Sequence, residues 1–561
     1  MERLFDDTRP TDKIVREKFG LSEDLMMENA AVALERHLML SADSATVTIL
    51  IACGGGDNGG DGYALARRFR NCIVWSVLPP KSPSCIRQKE RAEKIGVRIF
   101  TGDVATFKRE FAFDTIGDKP VDDDSGIFGR FDAVVDCIFG SGFHGEPDES
   151  VAEVIRFLNG LKAKKVACDV PSCLSCADAS QRNDIFKANT TVTMGALKKI
   201  LYADYSKDYV GEVYCMNLGV TRALFESLAI NEENAKSAQM WLLEKKDFAP
   251  PKRIKQCVHK GTYGHGAILI GEKRGAGIIA GEACFAYGAG LVTLVACDGY
   301  RQPDSEELSE IPCSPAVMTG TQLPANTTAV ALGMGLGRSE QAKKDAQERL
   351  TELTKLNVSC VLDADIFYME SLPKFLAENC DKKHIVLTPH PKEFLSLLKI
   401  CGLLSESASE AASAKSPKAE LADVPVEPQK AAPDFDVTGQ NQVTVEYVIK
   451  NRNSLSAAFC KKYPDVVLLV KGATPLISTM KDGKLQQFVN PHGKNCLAKG
   501  GSGDVLSGLI CALLAQGYTA LNAAIQGSLA HSHASERITT DYGMTPFMLI
   551  DAARYLESRY Y

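Results

Sequence analysis

The chain has 561 residues, 45% hydrophobic and 24% charged, enough for two or more domains that each bury a core. A formal net charge of -6 provides no basic surface for nucleic acid, and no apolar run reaches the ~18 residues of a membrane-spanning helix. Eighteen cysteines, scattered behind a start that lacks an apolar leader, read as reduced thiols in a cytoplasmic protein.

In chain order, an amphipathic helix is predicted over 22–40, with Ser22 as its cap and Glu23 and Asp24 in the first turn. Residues 46–52 are short and β-branched, and read as a buried parallel strand. That strand runs into Gly54-Gly-Gly-Asp-Asn-Gly-Gly-Asp-Gly62, after which a helix is expected from Tyr63. Strand, Gly-rich turn and helix make the first unit of a Rossmann-like sheet, with ligands expected beyond the strand's carboxyl end. Further strands are predicted at 72–78, 132–139, 165–170 and 190–194, and this alternation means a parallel α/β sheet. Two strand ends carry polar residues, Asp136-Cys-Ile-Phe-Gly-Ser-Gly142 and Asp169-Val-Pro-Ser172. Asn58, Asp61, Asp136, Asp169 and Ser172 are therefore expected around one crevice.

From 218 to 251 the pattern turns polar and charged, ending Asp247-Phe-Ala-Pro-Pro-Lys-Arg253. One domain is assigned to 1–225, a linker to 226–250 and a second domain to 251–561. The second α/β alternation opens at His259-Lys-Gly-Thr-Tyr-Gly-His265. Its strands are predicted at 267–271, 291–296, 328–332, 360–362, 385–387 and 466–470. Within about 403–441 the chain becomes rich in Ala, Ser, Lys, Glu and Pro, which predicts a disordered insertion whose lysines form a solvated tail. Near the end, Asn490-Pro-His-Gly-Lys-Asn-Cys-Leu-Ala-Lys-Gly-Gly-Ser-Gly-Asp504 opens onto an apolar helix. Backbone N–H groups at that helix start favour an anion such as phosphate, with Asp504 in the first turn. Taken alone, the same loop is equally a helix cap after a flexible turn. Cys173 and Cys176 form a C-x-x-C with no second pair nearby, so they read as thiols rather than zinc ligands. His531 and His533, two apart on a helix, fall on different faces.

The first half resembles the NAD(P)H-hydrate epimerase family. The matching pieces are Leu25-Met-Met-Glu-Asn-Ala30, Asp57-Asn-Gly-Gly-Asp-Gly62, Asp136-Cys-Ile-Phe-Gly-Ser-Gly142, Asp169-Val-Pro-Ser172 and Thr191-Val-Thr-Met-Gly-Ala196. The second half resembles the ribokinase-like NAD(P)H-hydrate dehydratases. Its pieces are Lys260-Gly-Thr-Tyr-Gly-His265, Gly288-Ala-Gly-Leu-Val292, Gly333-Met-Gly-Leu-Gly337, Asp363-Ala-Asp365, Thr388-Pro-His-Pro-Lys-Glu393, Lys471-Gly-Ala473 and Gly500-Gly-Ser-Gly-Asp504. Fused in this order, the halves look like the bifunctional nicotinamide-nucleotide repair family.

The resemblance implies an α/β chain of two domains, an N-terminal Rossmann-like sheet and a C-terminal ribokinase-like domain. Its substrate is reduced nicotinamide dinucleotide with water added across the ring's 5,6 double bond. The first domain is implied to interconvert R and S forms with K+ held by Asn58, Asp136 and Ser172. Asp57, Asn58, Gly59, Gly60 and Asp61, then Gly140, Ser141, Gly142, Phe143, His144, Gly145 and Glu146, are implied to bind the substrate, with Asp169 as acid/base catalyst. The second domain is implied to dehydrate the S form with ADP or ATP as phosphoryl donor and Mg2+ beside it. There Ala276, Gly335, His390 and Asp504 meet the hydrate, Asp504 taking its hydroxyl proton, and the N–H groups of residues 501–504 face the transferring phosphoryl. Lys471, Gly472, Ala473, Thr474, Pro475 and Gly503 meet the donor. Three positions depart from the family: Cys173 and Tyr368 stand where glycine and asparagine are usual, and Pro475 where threonine is. Partners are implied to be small molecules, with self-association into a homo-oligomer through helices flanking the sheets. The competing reading is a ribokinase-like vitamin-precursor kinase with a non-catalytic ligand-binding first half, which the Thr388–Glu393 run argues against.

Overall fold

Short apolar runs, many rich in β-branched residues, build two largely parallel sheets. The computed structural model describes residues 1–39, 47–111, 131–174, 184–233, 239–296, 313–382, 384–404 and 443–556. The chain divides into two units, Met1–Glu244 with Gln487–Pro491, and Lys245–Gln486 with His492–Tyr561. The stretch 226–250, expected as a linker, carries the end of helix Arg222–Glu233 and a strand, so the division falls after Glu244. Apart from Leu403 and Leu404, the expected insertion lies outside the described residues.

The first unit contains β1 (Glu2–Leu4), β2 (Ile49–Cys53), β3 (Cys72–Ser76), β4 (Arg98–Phe100), β5 (Ala133–Cys137), β6 (Lys164–Cys168), β7 (Thr190–Met194), β8 (Glu212–Met216) and β9 (Gln239–Leu242). Its main sheet runs β4-β3-β2-β5-β6-β7-β8, all parallel, while β1 and β9 pair antiparallel. From β2 the chain moves outward through β3 and β4, then returns to place β5 on the other flank. The order therefore reverses between β2 and β5, which opens a crevice at their carboxyl ends. Both faces of the sheet are covered by apolar layers, one including Trp75 stacked on Phe107 at 4.3 Å between centroids.

Only residues 54–56 of the Gly-rich stretch form a loop. Helix Asp57–Ala66 begins six residues before the expected start and takes in Asp57-Asn-Gly-Gly-Asp-Gly62. The reason is close packing of helix on sheet. A methyl on Gly59 would collide with the Gly54 carbonyl, and one on Gly62 would lie 2.6 Å from the Cys53 sulfur. Most predicted strands keep their place but shift at the ends. β6 stops at Cys168 rather than 170 because Asp169 adopts a left-handed φ of 67°, which no strand can continue.

In the second unit, β10 (His265–Ile270), β11 (Leu291–Ala296), β12 (Met318–Gly320), β13 (Ala329–Leu332), β14 (Ser359–Leu362), β15 (Ile385–Leu387), β16 (Val467–Val470) and β17 (Leu476–Lys481) form one sheet. The order is β12-β11-β10-β13-β14-β15-β16-β17, parallel except for β16 with β17. A hairpin through Asp482 and Gly483, both at positive φ, leads from β17 into β18 (Lys484–Val489). Here the order reverses between β10 and β13. Helix Ser502–Ala515, buried along nearly its whole length, packs on helix Arg274–Ala286; a methyl on Gly508 would lie 2.7 Å from the Ala283 side chain. Among the described residues no helix is long and apolar enough to cross a membrane.

Candidate functional site

A cavity of about 780 Å³ lies at the switch point of the first sheet, within the ~300–1,000 Å³ usual for small-molecule sites. Asp57, Asn58 and Asp61 reach it from the helix after β2, residues 138–143 from the loop after β5, and Asp169 from the end of β6. Of the sequence-predicted residues, Gly140, Ser141, Gly142 and Phe143 line it, whereas His144, Gly145 and Glu146 lie beyond its wall on exposed surface. Gly59 and Gly60 face protein instead, Gly59 the Gly54 carbonyl and Gly60 the Met27 side chain.

Asp169 occupies the centre of a γ-turn, the Val170 N–H donating to Cys168 O at 2.8 Å. This strained geometry turns its carboxylate back over the sheet. Oδ1 accepts from Lys198 Nζ at 2.6 Å, Thr193 Oγ1 at 3.2 Å and the Met194 N–H at 3.3 Å, and Oδ2 from the Ser141 N–H at 3.3 Å. Burial by itself raises the Asp169 pKa; Lys198 and these hydrogen bonds outweigh it and hold the group below the usual carboxylate range. Sequence reasoning missed Lys198. It is 1% exposed and also donates to Thr193 Oγ1 and Met194 O, at 2.9 and 3.0 Å. A lysine four residues after an apolar strand was the available signal, but Lys199 beside it is an equally good candidate.

Asp61 behaves oppositely. Burial, then the Asp169 and Asp57 carboxylates, push its pKa well up, and its Oδ2 accepts from the Cys168 thiol at 3.8 Å. Beneath the cavity, Ser172 Oγ donates to Asp136 Oδ1 at 2.6 Å, and the Ser172 N–H donates to Oδ2 at 2.7 Å. Asp136 is completely buried, its pKa pushed up to about 6 by burial, with no cationic side chain against it among the described residues. Asn58, on the cavity wall, keeps its buried Nδ2 without a hydrogen-bond partner among the described residues. An all-oxygen set holding an uncompensated carboxylate fits a hard monovalent cation.

Cys173 does adopt a left-handed φ of 68° and is buried; Cys176 lies outside the described residues. Cys173→Gly should remove roughly 1–2 kcal/mol of backbone strain while losing about 1 kcal/mol of burial. A thermal midpoint shifted by less than roughly 4 °C is therefore expected. Turnover at this site should change by less than about twofold, and a tenfold gain would mean that the cysteine impairs the site.

In the second unit, Asp504 stands in the first turn of helix Ser502–Ala515, whose cap Gly501 has φ 89°. The Ser502 N–H already donates to Lys499 O at 3.2 Å, so of residues 501–504 it is engaged within the loop. Lys471 Nζ pairs with Asp363 Oδ1 at 2.6 Å, and a methyl on Gly503 would lie 3.1 Å from that ammonium. Ser507 Oγ holds the other Asp363 oxygen at 2.6 Å. Burial first, then Asp363, push the Asp504 pKa up to about 7 against the pull of Lys471. His390 caps helix Pro391–Ile400 through a reciprocal pair with Glu393, and the Lys471 N–H donates to Pro389 O at 2.8 Å. Gly335, at φ 63°, packs against Ala276: a methyl there would lie 3.1 Å from the Ala276 Cβ. Gly472 and Ala473 are exposed, Pro475 half-buried, and Thr474 is turned inward, its hydroxyl accepting from Arg452 at 3.3 Å. Tyr368 carries the Arg338 guanidinium 3.5 Å above its ring. His531, set aside in the sequence, meets the Ser502 carbonyl at 2.9 Å and is held neutral by burial, its pKa near 4; His533 instead lies against Glu536.

Two family models match in this order: the YjeF-related protein N-terminus over 23–200, and NAD(P)H-hydrate dehydratase over 267–422 and 441–556. A relative from Helicobacter pylori, named bifunctional NAD(P)H-hydrate repair enzyme Nnr, is 35% identical over 99% of this chain and 100% of its own. This chain belongs to the bifunctional NAD(P)H-hydrate repair enzyme family. A second family member so named, from Escherichia coli, is 26% identical, covering 97% of this chain and 91% of its own. A solved structure of the ADP/ATP-dependent NAD(P)H-hydrate dehydratase of Bacillus subtilis, co-crystallised with ATP and Mg2+, is 20% identical and covers 56% of this chain and 96% of its own, with a TM-score of 0.40.

Proposed function

We propose that the first unit interconverts the R and S forms of hydrated NADH and NADPH, and that the second dehydrates the S form with ADP or ATP as phosphoryl donor. The observation that carries this reading is a reactive aspartate at each switch point: Asp169, kept ionised by Lys198, and Asp504, poised near neutrality beside Lys471. In the first cavity, Asp169 exchanges the proton needed to invert the hydroxyl-bearing carbon, while Asp57, Asn58 and residues 140–143 hold the dinucleotide. In the second unit, Asp504 takes the hydroxyl proton as phosphoryl transfer makes a better leaving group than hydroxide. The helix N-terminus and Lys471 face the charge that builds on the moving phosphoryl. Ala276, Gly335 and His390 flank the hydrate, and Lys471, Gly472, Ala473, Thr474, Pro475 and Gly503 the donor. Mg2+ would arrive on the donor's phosphates, since among the described residues no cluster of three metal-ligating His, Cys, Asp or Glu side chains exists. Self-association and a cytoplasmic location complete the reading.

Incubating the chain with a mixed hydrate preparation, and following recovery of reduced-nicotinamide absorbance with ADP and with ATP, tests both steps. No recovery with either donor ends the reading.

K+ is assigned to Asp136, Ser172 and Asn58, where it would neutralise the buried carboxylate and steady the floor of the cavity. The sign of its effect follows from Asp136. A carboxyl whose folded pKa, about 6, lies above its unfolded value loses stability as pH rises from about 4 through 6. A bound cation offsets that loss only where Asp136 is ionised. K+ is therefore expected to raise the thermal midpoint at pH 7.5 and not at pH 4.5, and Asp136→Asn should abolish the difference. An equal effect of K+ at both pH values counts against the assignment.

A further inference from the structure

The helix Arg9–Phe19 precedes the matched family segment, which begins at residue 23, yet it forms one wall of the first cavity. Thr8, Asp12 and Arg16, spaced four apart, lie along the face that lines it. Asp12 is half-buried, and its Oδ1 is fully buried with no hydrogen-bond partner among the described residues. A carboxyl oxygen left unsatisfied in a pocket wall costs stability unless a ligand meets it. Asp12 and Asp169 thus approach the same space from different elements, one from the N-terminal helix and one from the end of β6.

We propose that Asp12 is the second catalytic residue of epimerisation, the acid that protonates the departing hydroxyl while Asp169 serves the incoming water. The inference rests on the epimerase reading of this cavity. Hydration puts the hydroxyl on the carbon beside the ring nitrogen, where positive charge is best stabilised. As the carbon–oxygen bond breaks, the nitrogen lone pair forms a carbon–nitrogen double bond, and the Asp12 proton leaves with the hydroxyl as water. A water then adds to the other face of that carbon, and Asp169 accepts its proton. Water bound to such a cation is strongly acidic, so a carboxylate as weakly basic as Asp169 suffices. One water leaves and one enters, and a single proton passes from Asp12 to Asp169. It returns through solvent, or the reverse reaction carries it back with the roles exchanged.

The electrostatics agree. Burial above all, then Asp169 and Asp7, raise the Asp12 pKa to about 7 against Lys198 and Arg16, so the group holds a proton up to neutral pH. Arg9, Glu23, Asp57, Asp61 and Lys81 share the cavity, and on the helix packed behind, Arg222 pairs with Glu226. Asp61 is a poorer acid for this step: it is pushed well above the usual range and is engaged by the Cys168 thiol.

The test measures R-to-S conversion by the full chain without phosphoryl donor, resolving the two forms chromatographically across pH. For the unaltered chain the rate should fall as pH rises past about 7, where Asp12 loses its proton. Asp12→Asn should lower kcat by roughly a hundredfold and abolish that basic limb. Its dehydratase rate and thermal midpoint serve as controls of folding. A neutral residue here avoids ionisation in a buried wall, so the variant should be no less stable at pH 8. An Asp12→Asn kcat within about threefold of the parent, a change confined to KM, or the same basic limb in the variant overturns the proposal. So does a flat profile of the unaltered chain between pH 6 and 8, which needs no variant to fold. Absence of any conversion by the unaltered chain would instead sink the epimerase reading itself.

Discussion

Asp504→Asn is expected to reduce dehydration by roughly 10²–10⁴-fold, the usual worth of a positioned general base, while epimerisation stays at the parental rate. Asparagine keeps the shape of the first turn of helix Ser502–Ala515 but cannot take the hydroxyl proton. Because the Asp504 pKa lies near 7, dehydration by the parent should fall as pH drops below that value, and the residual rate of the variant should lack that limb. Stability moves the other way. A carboxyl raised in the folded state costs stability as pH rises from about 4 to 7, so the variant should be as stable as the parent at pH 8 or more so, by about 1–2 kcal/mol. Absorbance recovery at saturating donor gives the rate, and thermal melting the stability. A loss smaller than about tenfold would remove Asp504 from the proton transfer.

Lys198→Met is the change expected to damage the first unit most. The ammonium, 1% exposed, satisfies Asp169, Thr193 and the Met194 carbonyl together. Methionine fills the space but leaves a largely buried carboxylate, 15% exposed at the cavity wall, without its cation. Breaking a buried pair from one side costs roughly 3–5 kcal/mol, near 10 °C for a unit of this size. Asp169 escapes part of that cost by taking a proton, which removes the base, so epimerisation should fall with stability. In the parent, the depressed Asp169 pKa means the pair contributes fully above about pH 4 and fades as pH falls through the folded value; the variant should lose this acid-side dependence. Adding Asp169→Asn to Lys198→Met removes the second charge, so most of the stability should return while activity does not. If the double variant melts as early as the single one, the lysine acts through packing rather than charge.

Period and punctuation are local, and so most strands and both α/β alternations could be read along the chain, whereas the points where strand order reverses could not. The glycine motifs were legible as sites of close approach, although not in their form: Asp57–Ala66 is helix because Gly59 and Gly62 let it press onto β2 and β5. Cys173 was visible as a residue where glycine is usual, and the left-handed turn it occupies bears out why glycine would be easier there.

What the linear order determined, then, is where carboxylates would fall: Asp136, Asp169, Asp363 and Asp504 all stand where alternation placed a strand end or helix start. What only the folded chain decided is who answers them. Lys198 reaches Asp169 across 29 positions, Ser172 reaches Asp136 across 36, and Lys471 and Ser507 reach Asp363 across 108 and 144. Asp12 enters the cavity from a helix that carries no motif at all. A charge's protonation depends on burial and on neighbours within a few ångströms, and neither is a property of residues adjacent in sequence.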